Sequence, residues 1–184
     1  MRRLGHFRAW PAAAIVATMV ASVGAADGLT REEALAAAFP GATIRAEQVF
    51  LTAEQQKQAA ARAGDEIPSL FIARYIATQD NQVVGRAYID THTVRTKKET
   101  LLISLDAEGR VKRIDVTAFL EPAEYQASEA WLRQYANRRL DAELEVNRAI
   151  RPIAGATLTA RATNTAVRRI MAIDAVLSAA GGTK

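Results

Sequence analysis

Two pairs of short apolar runs, each pair split by a four-residue polar turn, constrain this chain more than any other feature. Residues 70–78 (LFIARYIAT) and 83–91 (VVGRAYIDT) flank Gln79-Asp80-Asn81-Gln82. Residues 100–105 and 111–119 flank Asp106-Ala107-Glu108-Gly109. Runs rich in β-branched and aromatic residues, bounded by turn formers, read as β-hairpins. In the last run Ile114, Val116 and Ala118 alternate with Asp115 and Thr117, the pattern of one buried and one wetter face. Antiparallel pairing is the expectation.

Helical signals surround these hairpins. Thr30-Arg31-Glu32-Glu33 and Thr52-Ala53-Glu54-Gln55 are capping boxes, in which hydroxyl and carboxyl or amide groups satisfy orphan amides. The first helix should stop at Pro40-Gly41; the second should run through Arg62, with Gly64 as a left-handed cap. A third helix is expected over residues 128–137, with Trp131 and Tyr135 one turn apart as core anchors. The charged residues 138–149 either extend it or form a surface excursion, and Pro152 breaks what precedes it. Residues 160–180 form a helix with Val167, Ile170, Met171 and Leu177 on one stripe. The chain is therefore expected to be α+β, one domain over residues 27–184, with an antiparallel sheet of two hairpins packed against helices. Its 49% apolar content is enough for a core.

The first 26 residues read differently. Arg2, Arg3 and Arg8 precede an apolar run over residues 12–23, followed by Gly24, Ala25 and Ala26. That is the three-part pattern of a signal peptide over residues 1–26, implying an exported or periplasmic domain, membrane-associated if the leader is retained. The run falls short of the about 20 residues needed to span a bilayer. Without this segment the formal charge falls from +4 to +1, so no nucleic-acid footprint remains. Cysteine is absent and there are two histidines, His6 and His92. Thiolate-held clusters and histidine-built metal sites are thereby disfavoured, and any redox cofactor would be organic.

Between Pro152 and the last helix lies Ile153-Ala154-Gly155-Ala156-Thr157-Leu158-Thr159. A tight small-residue turn here delivers two hydroxyls to a helix start. Gly155 opens backbone conformations closed to other residues, and helix N-termini attract anions. On chemistry alone Thr157 or Thr159 serves as an N-cap or the segment holds a phosphate; both readings stay open.

The segment resembles the flavinylation motif of the FMN-binding domain family, written [ST]-G-A-[ST]-x-[ST]. That family includes the FMN-carrying subunits of Rnf complexes and of the sodium-pumping NADH:quinone oxidoreductase. The likeness extends over roughly residues 70–175, through the hairpins, Glu121-Pro122, the helix with Trp131 and Tyr135, and the motif-plus-helix. It implies FMN joined by a phosphoester to Thr159, with Thr157, Gly155, Ala156 and Leu158 around it. It also implies a flavin transferase using FAD and Mg²⁺, and membrane-bound or haem-containing redox partners. Ala154 departs from the motif, where Ser or Thr is usual. So do Ile150, Arg151 and Pro152, where the family often has an acidic residue. Glu121-Pro122-Ala123-Glu124 stands where the family has Glu-Thr-Pro-Gly.

Other polar residues are weaker candidates. Glu121 could accept hydrogen bonds from a flavin, or be a surface-turn carboxylate. Arg95 or Lys97 could stabilise a reduced flavin or steer an acidic partner, from a cluster with Asp90, His92, Lys98 and Glu99 that otherwise reads as a solvated connection. His92 has no partner at a defined spacing. Arg161 could neutralise a phosphate, whereas Arg168 and Arg169 read as an exposed helix face. An electron carrier is thus the leading expectation. A flavin reductase of a small acceptor and a non-redox binding module are the alternatives.

Overall fold

The computed structural model describes residues 29–181; the expected leader lies outside the described residues. The elements run α1 (Arg31–Ala38), β1 (Thr43–Phe50), α2 (Ala53–Ala63), β2 (Phe71–Gln79), β3 (Gln82–Thr93), β4 (Lys98–Asp106), β5 (Val111–Phe119), a short α3 (Glu129–Leu132) and the long α4 (Thr157–Gly181). The strands form one antiparallel sheet in the order β1-β2-β3-β4-β5. The fold is α+β, as the alternating runs imply.

Local chemistry explains the turns. Asp80 and Asn81 both adopt positive φ, 51° and 61°, the geometry of a two-residue type I′ hairpin, which Asx residues tolerate. Both capping boxes form, at Thr30 with Glu33 and at Thr52 with Gln55, and Gly64 closes α2 in the left-handed region.

Strand alternation splits the core in two. On one face Tyr88, Leu101, Ile103 and Leu105 pack with Val167, Ile170 and Ile173 of α4 and Ala59 and Ala63 of α2. On the other, Ala77, Ala87 and Leu102 meet Ala34, Leu35 and Ala38 of α1 and Phe39, which follows it. Among the described residues no helix is long and apolar enough to cross a membrane.

Three elements differ from expectation. β1 is a fifth strand beside β2. Its half-exposed pattern (TIRAEQVF) lacks a clean alternation because it is an edge. The expected helix at 128–137 is one α turn followed by a 3-10 turn, Arg133–Tyr135, and Asn137 turns to φ 62°. The Asn137 amide then donates to the Val111 carbonyl. Docking onto β5 outcompetes helix propagation. Residues 138–149 take the excursion alternative, and α4 starts at Thr157, three residues earlier than the stripe indicated.

Candidate functional site

The chain enters the site under restraint. The Trp131 indole Nε1 donates to the Arg151 carbonyl at 2.6 Å, and the Arg151 amide donates to Gln134 Oε1 at 2.9 Å. Tyr135, stacked edge-on against Trp131, is fully buried. Trp131 is thus a half-buried tether and Tyr135 a core anchor. From Arg151 the chain turns through Gly155 at φ 77°, a conformation that favours glycine. A Cβ there would meet nothing within 4 Å, so the backbone and not crowding demands it.

Among the described residues no side chain caps the start of helix α4. The residue before it is Ala156, which has no acceptor side chain, and its first turn contains no acid. Thr157 and Thr159 lie inside the helix, so neither is the N-cap. The Ala160 amide is taken by the Ala156 carbonyl. The amides of Thr157, Leu158 and Thr159 have no acceptor among the described residues. Three open N–H groups and the positive end of a 25-residue helix therefore face the same space.

That space is a cavity of about 230 Å³ lined by Val94, Arg95, Glu121, Tyr125, Gly155, Ala156, Thr157, Leu158 and Thr159. Seven of the residues singled out from the sequence line it together, Arg95, Glu121 and the segment 155–159, although these three stretches are far apart in the chain; Lys97 and His92 do not line it. Thr159 is 1% exposed and contributes to the inner wall. Leu158, 50% exposed, stands at the mouth. Arg95 is exposed and has no ion-pair partner among the described residues. Arg161 is exposed and outside the lining.

Glu121 has a structural task here. Its Oε1 accepts from the Thr96 and Lys97 amides at 2.6 and 2.7 Å and from the Thr96 hydroxyl at 3.2 Å. These amides hold its carboxyl below the usual carboxylate range. The bond closes the β3–β4 turn, in which the Val94 amide also meets the Lys97 carbonyl, and so fixes Arg95 at the rim.

The polar cluster at the end of β3 is not a solvated connection. Asp90 and His92 share one face of β3, and His92 is the register partner of Glu99 on β4. His92 Nδ1 lies 2.9 Å from Asp90 Oδ1 and Nε2 lies 3.0 Å from Glu99 Oε2. Burial disfavours the imidazolium, yet the hydrogen bonds and charges of Asp90 and Glu99 outweigh it and push the His92 pKa up to about 9. Burial likewise works against the Asp90 carboxylate, but His92 and Arg169 hold its pKa below the ordinary value. His92 therefore does have partners. The i, i+2 spacing of Asp90 and His92 in a strand was the available signal, whereas Glu99 needed the register.

Arg168 and Arg169 are not an exposed face either. Arg168 donates to the carbonyls of Ala63, Asp141 and Leu144, tying the end of α2 and the 138–149 excursion to α4. Arg169 is buried against Asp90. Both turn inward because α4 packs on the sheet, α2 and the excursion together. Val94 and Tyr125 complete the cavity without any sequence signal.

No protein-family model, no curated protein and no solved structure matches this chain.

Proposed function

We propose that the chain is an exported electron carrier that bears FMN covalently on Thr159. What supports the reading is the convergence of the seven residues on one cavity that opens onto an uncapped helix N-terminus. The donor set suits a phosphate: three unpaired amides, a threonine hydroxyl and the Arg95 guanidinium, with Glu121 already engaged by backbone amides. The volume, about 230 Å³, is below the roughly 300–1,000 Å³ usual for a whole small-molecule site. It accommodates the phosphate and adjoining chain, while Tyr125 and Leu158 offer apolar surface at the mouth for a ring. Bound FMN would supply one- and two-electron transfer.

The protein's own contributions follow from these positions. The amides of Thr157, Leu158 and Thr159 orient the phosphate, Arg95 offsets its charge, and Glu121 keeps the Arg95 turn closed. Attachment by a flavin transferase with Mg²⁺ forms the Thr159 Oγ–phosphorus bond. It breaks the pyrophosphate of FAD with AMP as leaving group, and the hydroxyl proton goes to solvent. Electron donors and acceptors would be membrane-bound or haem-containing proteins.

Co-expression with a flavin transferase, followed by in-gel flavin fluorescence after SDS denaturation, tests the reading. A fluorescent band that disappears in Thr159→Ala and only weakens in Thr157→Ala is the expected result. A dark band with the intact mass of the bare mature chain would overturn it. Loss in Thr157→Ala with retention in Thr159→Ala would move the attachment to the more exposed hydroxyl.

A further inference from the structure

A buried ionic cluster lies one helical turn beneath the cavity. His92 stands between two carboxylates, and both its ring nitrogens face acceptors, an arrangement suited to the imidazolium with its two donors. Every packed element contributes a group: Asp90 and His92 from β3, Glu99 from β4, Thr163 and Arg169 from α4, and Asp65 after α2. The Thr163 hydroxyl donates to Glu99 Oε2 at 3.3 Å, and Arg169 Nη1 lies 3.5 Å from Asp65. Glu99 is 0% exposed, and its Oε1 has no hydrogen-bond partner among the described residues. A buried carboxylate oxygen without a donor costs free energy unless something occupies it.

Thr163 links this cluster to the cavity. It follows Thr159 by four residues, about 6 Å along the helix axis, on the same face, and both are buried. Charge at Thr159 would therefore act on the pair through packed protein, where screening is weak.

We propose that Asp90, His92 and Glu99 form a proton-holding site coupled to the cavity, so that negative charge placed at Thr159 makes His92 hold its proton more tightly between the two carboxylates. An added anion favours the protonated form of its neighbours. His92 binds the proton between two acceptors, Asp90 Oδ1 and Glu99 Oε2. This deepens the flavin reading, on which only its redox consequence rests. For a bound group that gains two electrons and one proton, the imidazolium held there would offset the residual negative charge.

The test needs no flavin. The full chain has two histidines, His6 and His92, so ¹⁵N-histidine NMR gives two titrations, assigned with His92→Gln. Thr159→Glu places a carboxylate at the cavity wall, with Thr159→Gln as its neutral control. The His92 midpoint is expected to rise by about one pH unit in Thr159→Glu relative to Thr159→Gln. Thr157→Glu, at an exposed first helical position where an acid is favourable, provides a variant that folds if the buried substitution does not. It should raise the midpoint in the same direction by less. An unmoved midpoint in either folded glutamate variant overturns the coupling. A raised midpoint beside a dark flavin gel would leave the proton site standing and remove the flavin. A fluorescent gel with an unmoved midpoint would do the reverse.

Discussion

Arg169 of α4 grips Asp90 of β3 with two hydrogen bonds of 2.9 Å, from Nε to Oδ2 and from Nη2 to Oδ1. Both side chains are about nine-tenths buried. This fork pins α4 to the sheet ten residues beyond Thr159, and so sets the height at which the helix N-terminus meets the cavity.

Removing one partner leaves the other charge buried and unpaired. Arg169→Ala should lower unfolding stability by about 3–5 kcal/mol, measured by urea denaturation. The apolar double replacement Arg169→Met with Asp90→Leu should recover only part of that loss, because Asp90→Leu also removes the acceptor of His92 Nδ1. A double variant as unstable as the single one would show that the fork contributes more than charge compensation.

His92 makes stability depend on pH in the alkaline direction. Its folded pKa, about 9, lies above the ordinary value of 6.5. The contribution is therefore fully present below about pH 6.5 and is lost as pH rises through about 9. Its size is on the order of 2–3 kcal/mol. Denaturation midpoints for the wild type should fall between pH 6.5 and 9.5, and His92→Gln should flatten that slope. An unchanged slope in the variant would assign the titration elsewhere.

Two glycines should respond to alanine for different reasons. At Gly155 a Cβ meets nothing within 4 Å but φ is 77°, so Gly155→Ala should cost about 1–2 kcal/mol from backbone conformation alone. At Gly85 a Cβ would lie 2.5 Å from the Leu105 carbonyl oxygen and run into the Phe39 ring. Gly85→Ala must push β3 from β4 or displace α1, and its thermal midpoint should fall well below that of Gly155→Ala. The reverse order would refute this assignment.

Glu121→Gln weakens the acceptor that closes the β3–β4 turn. The Thr96 and Lys97 amides should then exchange with deuterium faster, while the core of β3 and β4 stays protected. The wild-type turn should loosen similarly as acid pH protonates Glu121, whose pKa is held below the ordinary range. Protection factors unchanged in the variant would mean that the turn holds itself closed.

Local signals fixed what depends on neighbours in the chain. Thr30, Thr52 and Gly64 cap their helices as their spacing implies. Asp80-Asn81 makes a tight hairpin because Asx residues tolerate positive φ, and alternation in residues 111–119 reports a strand. The 155–159 segment was legible as a turn feeding a helix, since Gly155 and the change of period are local. Its capping was not, because an N-cap is defined by where the helix starts. Packing against the sheet extends α4 back to Thr157 and moves both threonines inside. Edge strand β1 escaped for the same reason: a half-exposed strand carries little alternation.

The amino-acid sequence by itself determined the α+β class, the hairpins and the residues that could meet a phosphate. Only the tertiary structure decided which of them share a cavity, because Arg95, Glu121 and Thr159 sit on three elements brought together by sheet register and the docking of α4. It also turned Asp90, His92, Glu99 and Arg169, which read as solvent-facing groups, into a buried cluster. Burial and charge pairing are properties of the surroundings, and no residue's own chemistry states what will pack against it.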